Sequence, residues 1–317
     1  MKLAAIDIGT VTCRLLIADV VGSSVNEICR HCAITNLGVG VDKTSCLQLD
    51  AIERVVSQIQ EFVKLIDEES LKGSSSSHVR MPIVAFATSA ARDAKNSSEL
   101  TSRLEALGVK LSVISGKHEA SLSFKGASSC FSGESLLVVD TGGGSTEVIF
   151  GKGGQEPSFS HSFNVGCRRI TERFLFSDPP APSELEQAHA FVQEEMRPYF
   201  EECLSSFPSL DRIVAVAGTA TSAVSIKEKM KQYNPELVHK ACVSSEELKA
   251  VYEMLALKPL ELRKQVVGLE PQRAGVIVAG MLILTVVLEL SHMDSFTVSE
   301  LDILHGILLE ESTHYLL

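Results

Sequence analysis

Two short stretches of the chain have the residue types that bind phosphate. The first is Ala5-Ile6-Asp7-Ile8-Gly9-Thr10-Val11-Thr12, and the second is Val138-Val139-Asp140-Thr141-Gly142-Gly143-Gly144-Ser145-Thr146. Each is an apolar run ending in aspartate, followed by a small-residue turn that carries hydroxyls. Glycines in such a turn let the backbone approach a ligand closely, and successive turn N–H groups make a nest for an anion. The hydroxyls of Thr10, Thr12, Ser145 and Thr146 add donors. Asp7 and Asp140 could hold a hydrated Mg2+, which is bound through few carboxylates and several waters. One such loop alone reads as an ordinary β-hairpin, because turns favour these residues anyway. Two of them, each opening a similar half of the chain, read as a pair that clamps a phosphate chain from both sides.

Other residues carry weaker signals. Arg92 follows a predicted strand and could contact phosphate oxygens in a bidentate way; a surface ion pair with Asp93 or another neighbour is the alternative. Glu119 lies near a predicted helix start and could orient and deprotonate water. By position alone it reads as a first-turn glutamate favoured by the helix dipole. Arg168, Arg169 and Arg173, by themselves, read as solvated charge on a helix face. Ala217-Gly218-Thr219-Ala220-Thr221 reads equally as a third ligand loop or as a strand-to-helix turn with Thr as N-cap. Two other phosphate motifs fail. Ser115-Gly116-Lys117-His118 has His118 where a P-loop needs Ser or Thr. Leu37-Gly38-Val39-Gly40 lacks the third glycine and the helix of a dinucleotide fingerprint.

The elements that must position these residues follow from periodicity. Leu3–Ile8, Cys13–Val20 and a third run after Gly22 predict an antiparallel meander. From Asp50, apolar residues at Ile52, Val55, Val56, Ile59, Phe62, Val63 and Ile66 predict a helix. Ser70 to His78 is Ser- and Gly-rich and predicts an exposed loop. A strand at Pro82–Ala87, a helix ending near Gly108, a strand at Val109–Ile114 and a helix after Gly116 suggest β-α-β units. The pattern then restarts: strand Leu136–Asp140, glycine loop, strand Glu147–Phe150, and a third strand at His161–Asn164. A long helix near Ser183–Leu204, a strand at Ile213–Ala217 and several helices follow. The restart implies two halves of like topology, with a boundary near residues 115–120.

Composition narrows the function classes. The 317 residues are 45% hydrophobic and 22% charged, with a net charge of −11, which suits a soluble globular protein of about two domains. That charge disfavours general binding to nucleic acid or to an anionic membrane. Met1 to Asp7 has no signal-peptide pattern. The apolar stretch Ala274 to Leu288 is shorter than a bilayer span and predicts a buried helix. The eight cysteines are expected as free thiols; Cys29-Arg30-His31-Cys32 is a lone C-x-x-C within a predicted strand, a weak metal or redox signal.

Taken together, these residues resemble the exopolyphosphatase/guanosine pentaphosphate phosphohydrolase (Ppx/GppA) family along nearly the whole chain. Ala4 to Thr10 looks like its first phosphate motif, and Ala87-Thr88-Ser89-Ala90-Ala91-Arg92 like its Thr/Ser…Arg segment. Ile114-Ser115-Gly116-Lys117-His118-Glu119-Ala120 is similar to its Ile-Ser-Gly-x-Glu-Glu-Ala motif. Asp140 to Glu147 resembles its Asp-x-Gly-Gly-Gly-Ser-Thr-Glu motif, the most specific of the set. Gly166 to Phe174 and Val298 to Gly306 match two further motifs. The resemblance implies an α/β protein with a duplicated actin-like ATPase (ribonuclease H-like) fold, two domains around a central cleft that holds the active site. The expected domains are 1–118 and 119–317, with the last helix able to pack back on the first.

The resemblance also implies roles. Glu119 matches the catalytic base and Arg92 a substrate-side arginine. Gly9, Thr10, Thr12, Gly142, Gly143, Gly144, Ser145 and Thr146 match the phosphate loops. Asp7, Asp140 and Glu147 are the expected ligands of Mg2+, with Mn2+ as the alternative cation. Arg169 matches a basic position that reaches either the phosphate chain or a structural partner. The implied activity is hydrolysis of the terminal phosphoanhydride of inorganic polyphosphate. The alternatives are 5′-phosphate removal from guanosine pentaphosphate (pppGpp) and a catalytically weak sensor. A sugar or acetate kinase on the same superfold lacks support, because no acceptor-binding insertion is present. A cytoplasmic homodimer is implied. Two departures stand out: Val11 replaces the usual Asn and removes one donor, and His118 replaces the first Glu of the Glu-Glu pair, which either weakens metal binding or alters a neighbour.

Overall fold

The computed structural model describes residues 1–22, 24–72, 81–207 and 209–314. Most of the predicted Ser70–His78 loop, from residue 73 on, lies outside the described residues. By internal contacts the chain forms two units, Met1–Leu122 with Ile303–Leu317, and Ser123–Asp302. Against the expected limit at 118/119, this division falls within the helix Gly116–Ser128. The returning C-terminal helix belongs to the first unit because its Ile303, Leu304, Ile307 and Leu308 share a core with Leu3, Ala5, Leu16 and Leu122.

In the first unit, β1 (Lys2–Ile8) pairs antiparallel with β2 (Thr12–Val21), which pairs antiparallel with β3 (Ser24–Ile34). On its other side β1 runs parallel to β4 (Ile83–Ala87), and β4 parallel to β5 (Leu111–Val113). The strand order is β3-β2-β1-β4-β5. β1 is buried along almost its whole length because both faces are covered. Ala4, Ile6 and Ile8 face one core with the helix Leu49–Leu71, while Leu3 and Ala5, on the alternate face, meet the C-terminal helix. The predicted helical stripe is the one buried: Ile52, Val55, Val56, Ile59, Phe62 and Ile66. Each such side chain contributes about 1.5–3 kcal/mol on full burial.

The second unit repeats the plan. Its strands are β6 (Ser135–Thr141), β7 (Thr146–Lys152), β8 (Pro157–Phe163), β9 (Arg212–Val216), β10 (Cys242–Ser244) and β11 (Ser295–Val298). The sheet order is β10-β11-β9-β6-β7-β8. Read from the meander edge, β8-β7-β6-β9-β11 reproduces β3-β2-β1-β4-β5, with the same antiparallel and parallel neighbours. β10 is an added edge strand, antiparallel to β11. This order and these directions are those of the ribonuclease H-like fold of actin-like ATPases, present twice. The helix Ile277–Ser291 is the expected core helix, with 13 of its 15 residues buried. No helix among the described residues is long and apolar enough to cross a membrane.

Local departures have local causes. The single helix expected before Gly108 is two, Ser89–Asp93 and Ser97–Glu105. Between them the Asn96 amide accepts from Leu47 N–H at 2.8 Å and donates to Leu47 O at 3.0 Å, so it holds a corner rather than a helical turn. The strand expected at His161–Asn164 starts earlier, at Pro157. Cys29 and Cys32 both lie in β3, and all eight cysteines are free thiols.

Candidate active site

The two loops close their hairpins in the same way. Gly9 N–H donates to Thr12 O at 2.8 Å, and Gly142 N–H to Ser145 O at 3.0 Å. The residues left at the tips are Thr10-Val11 and Gly143-Gly144. In each loop a later segment takes the carbonyls. Gly38 N–H donates to Thr10 O at 2.9 Å, and Thr35 and Asn36 N–H to Val11 O at 3.0 and 2.9 Å. In the second loop Cys167 N–H donates to Gly142 O at 2.9 Å, and Arg168 and Arg169 N–H to Gly143 O at 2.8 and 3.2 Å. Arg169 Nε completes the set on Gly144 O at 2.8 Å.

This tie-back orients the amides. A trans peptide is planar, so its N–H points opposite to its C=O. With the carbonyls of Gly142, Gly143 and Gly144 held towards 167–169, the N–H groups of Gly143, Gly144 and Ser145 point the other way. Val11 and Thr12 do the same in the first loop. Each loop thus turns successive amides to the side away from its tie-back segment, an arrangement able to bind an anion. Close approach behind the loops requires glycine. A Cβ on Gly166 would lie 2.4 Å from Gly143 O, and one on Gly38 2.2 Å from the Thr10 methyl. Sequence reasoning had set Gly38 aside with a failed dinucleotide motif; its role is to back the loop.

The strand register places the carboxylates. Asp7 stands opposite Arg14 across β1 and β2, and Asp140 stands opposite Glu147 across β6 and β7. These are equivalent positions of the duplicated fold, and Asp7, Asp140 and Glu147 are all buried. Arg14 Nε and Nη2 donate to Asp7 Oδ2 at 3.0 and 2.6 Å. A guanidinium therefore supplies positive charge beside Asp7, the residue expected to bind Mg2+. Arg14 itself was missed from sequence, and the alternation of β2 opposite Asp7 was the available signal.

In the second half no arginine takes that place. Two buried carboxylates face each other on neighbouring strands, where directly opposed Cβ atoms lie about 4.5–5.5 Å apart and like charges repel. Ser123 Oγ donates to Asp140 Oδ2, and Ser162 Oγ to Glu147 Oε1, both at 2.6 Å. These hydroxyls orient the carboxylate oxygens they touch. An all-oxygen, doubly anionic pair beside a glycine loop fits a hard divalent cation such as Mg2+. Among the described residues no cluster of three His, Cys, Asp or Glu side chains is placed to hold a metal.

Arg92 and Glu119, chosen separately in the sequence, meet. Arg92 Nη1 lies 2.9 Å from Glu119 Oε2 and donates also to Ile114 O at 3.1 Å. Glu119 is only 7% exposed, in the first turn of its helix, where its N–H donates to Ser115 O at 2.9 Å. The ion pair is thus with Glu119 rather than an exposed surface pair with Asp93. The guanidinium fixes one carboxylate oxygen of Glu119 in place and favours its ionised form.

Three other segments have local structural partners. Thr146 is fully buried and its hydroxyl donates to Val165 O at 2.5 Å, which anchors the approach to Gly166. Arg169 Nε has a structural partner in Gly144 O. The 217–221 segment is the first turn of the helix Ala217–Lys227, whose N-cap is Val216 rather than a Thr. Ala217 there sits in the left-handed region at φ 65°.

The geometry of two phosphate loops, one carboxylate pair and one glutamate–arginine pair can now be set beside known proteins. The profile of the Ppx/GppA phosphatase family matches residues 16–314. The chain belongs to that family. A Fusobacterium nucleatum protein named "Bifunctional 3-dehydroquinate synthase/phosphatase" is 36% identical over 97% of this chain, which spans only 46% of that longer protein. The Mycobacterium tuberculosis protein named "Exopolyphosphatase 2" is 35% identical over 97% of this chain and 98% of its own length. Among solved structures, the Aquifex aeolicus Ppx/GppA family member matches with a TM-score of 0.80 at 31% identity, covering 99% of this chain and 98% of that one. The profile match of this Ppx/GppA chain begins within β2, and the Aquifex aeolicus structure covers nearly all of the rest as well.

Proposed function

We propose that the chain is a phosphoanhydride hydrolase that removes the terminal phosphate of inorganic polyphosphate. The observation that carries this reading is the tied-back geometry of both loops, whose amides are oriented to bind phosphate oxygens. The N–H groups of Gly143, Gly144 and Ser145, and of Val11 and Thr12, bind phosphate oxygens. The Ser145, Thr10 and Thr12 hydroxyls add donors. Glu119 takes a proton from water as the water oxygen attacks the terminal phosphorus. The P–O bond to the bridging oxygen breaks, its electron pair stays on the shortened chain, and orthophosphate leaves. Arg92 holds Glu119 and donates to the phosphate undergoing transfer, where charge spreads over its equatorial oxygens. Asp140 and Glu147 would hold Mg2+, or Mn2+ in its place, which when bound supplies charge neutralisation on the phosphate chain. Family membership and the name of the mycobacterial relative support the reaction class.

The test is Mg2+-dependent orthophosphate release from polyphosphate and from pppGpp, with Glu119→Gln as control. Release from polyphosphate that the variant loses supports the reading. A preference for pppGpp moves the substrate to the nucleotide with the same residues in the same roles. Binding without release from either leaves a sensor and refutes the enzyme. Sedimentation velocity tests the accompanying proposal of a homodimer.

A further inference from the structure

His118 departs from its family's motif, and the structure gives it a partner. Its Nε2 lies 2.8 Å from Glu310 Oε1 on the C-terminal helix Ile303–His314. Its ring packs at 5.6 Å on that of Phe86, in β4. Its own N–H donates to Ser115 Oγ at 3.2 Å. The next residue is Glu119. The C-terminal helix that supplies Glu310 is itself held firmly. A Cβ on Gly306 would lie 1.9 Å from Leu122 O, so the two helices touch backbone to backbone. Near its start, buried His305 Nε2 lies 3.1 Å from Glu27 Oε1 on β3, and Arg30 also donates to Glu27. Between these points Ile303, Leu304, Ile307 and Leu308 lie in the core.

We propose that His118 and Glu310 form a positioning pair that fixes the helix turn carrying Glu119. The inference rests on the reading of Glu119 as the base. A carboxylate that must meet an in-line water tolerates little displacement, and about 1 Å of misplacement can cost on the order of a hundredfold in rate. His118 alone, flanking that carboxylate, could swing with the first turn. Tied to a helix seated in the core, it cannot. The departure from the family's Glu-Glu pair therefore replaces a second acidic group with an anchor. Both side chains are about one-third exposed, at 38% and 32%, so the pair adds little to global stability. That makes it removable without unfolding the chain.

The experiment measures kcat and KM for polyphosphate hydrolysis with Mg2+ in His118→Ala, Glu310→Ala and the double variant, beside Glu119→Gln. Each single change is expected to lower kcat about tenfold, within the range that misplacement allows, with KM unchanged. The double variant should be no worse than the singles. Glu310→Gln, which keeps an acceptor for His118, should recover most of the rate. Amide hydrogen exchange should show faster exchange at Glu119 in Glu310→Ala, with the rest of the chain unchanged. If Glu119→Gln is inactive while His118→Ala and Glu310→Ala keep the wild-type kcat, the positioning proposal is overturned and the base assignment stands. If the two singles lose rate additively, the coupling is refuted. If Glu119→Gln retains full activity, the base assignment fails first and takes the positioning role with it.

Discussion

At the scale of residues, the informative contrast is between two equivalent strand positions. Asp7 faces Arg14 and Asp140 faces Glu147, so one half neutralises its aspartate internally and the other pairs it with a second acid. Arg14→Leu takes the guanidinium from a buried carboxylate, and removing one partner of a buried pair costs about 3–5 kcal/mol; urea unfolding should show a loss of up to that order. In the other half, Mg2+ binding to the folded state should raise the melting temperature, and Glu147→Gln should abolish most of that rise without needing any assay of turnover. Glu119→Gln should lower kcat by about 10²–10⁴, the usual worth of a positioned proton acceptor, with the fold unchanged by circular dichroism. The motif residues were legible one by one, because their types announce their chemistry. Their partners Arg14, Ser123 and Ser162 were not, since a hydroxyl or guanidinium in a strand acquires meaning only from what the register or a neighbouring helix sets opposite it.

At the scale of elements, glycines and one alanine set the backbone paths. Gly166 backs the Gly142–Ser145 loop so closely that a Cβ would strike Gly143 O and neighbouring backbone. Gly166→Ala should therefore displace the loop, and polyphosphate should bind at least tenfold more weakly, a loss of about 1.4 kcal/mol, measured by titration calorimetry on the Glu119→Gln background. Ala217 occupies a left-handed conformation, φ 65°, which costs an L-residue about 1–2 kcal/mol. Ala217→Gly should raise stability by up to about 1 kcal/mol, because glycine avoids that strain but loses more chain entropy. The hydrophobic stripe of Leu49–Leu71 could be read directly from its period. The break at Asn96 could not, because it depends on two hydrogen bonds to Leu47, distant in sequence.

At the scale of the molecule, the C-terminal helix ties the end of the chain to the first unit, and part of that tie depends on pH. Burial raises the Glu27 pKa, but hydrogen bonds from His305 and Arg30, with their charges, outweigh it and bring the value from 4.5 to about 2. A carboxylate depressed in this way contributes stability above its unfolded value, and the contribution is lost as pH falls through the folded one. Stability of the wild type should therefore fall between pH 4.5 and about 2 more steeply than that of Glu27→Gln, as followed by urea midpoints at each pH.

The sequence by itself determined the two strand–loop–strand starts, the duplicated α/β plan they announce and the motif residues of the Ppx/GppA family. Periodicity, glycine turns and aspartates at strand ends are local properties, written in neighbouring residues. Only the tertiary structure shows that Asp7 is met by Arg14 while Glu147 stands opposite Asp140, that Arg92 reaches Glu119, that Arg169 holds Gly144 O, and that His118 is tied to Glu310, 192 residues away. Each of these depends on register or on long-range packing. A side chain's charge is set by its type, but the charge it faces is set by where the chain returns.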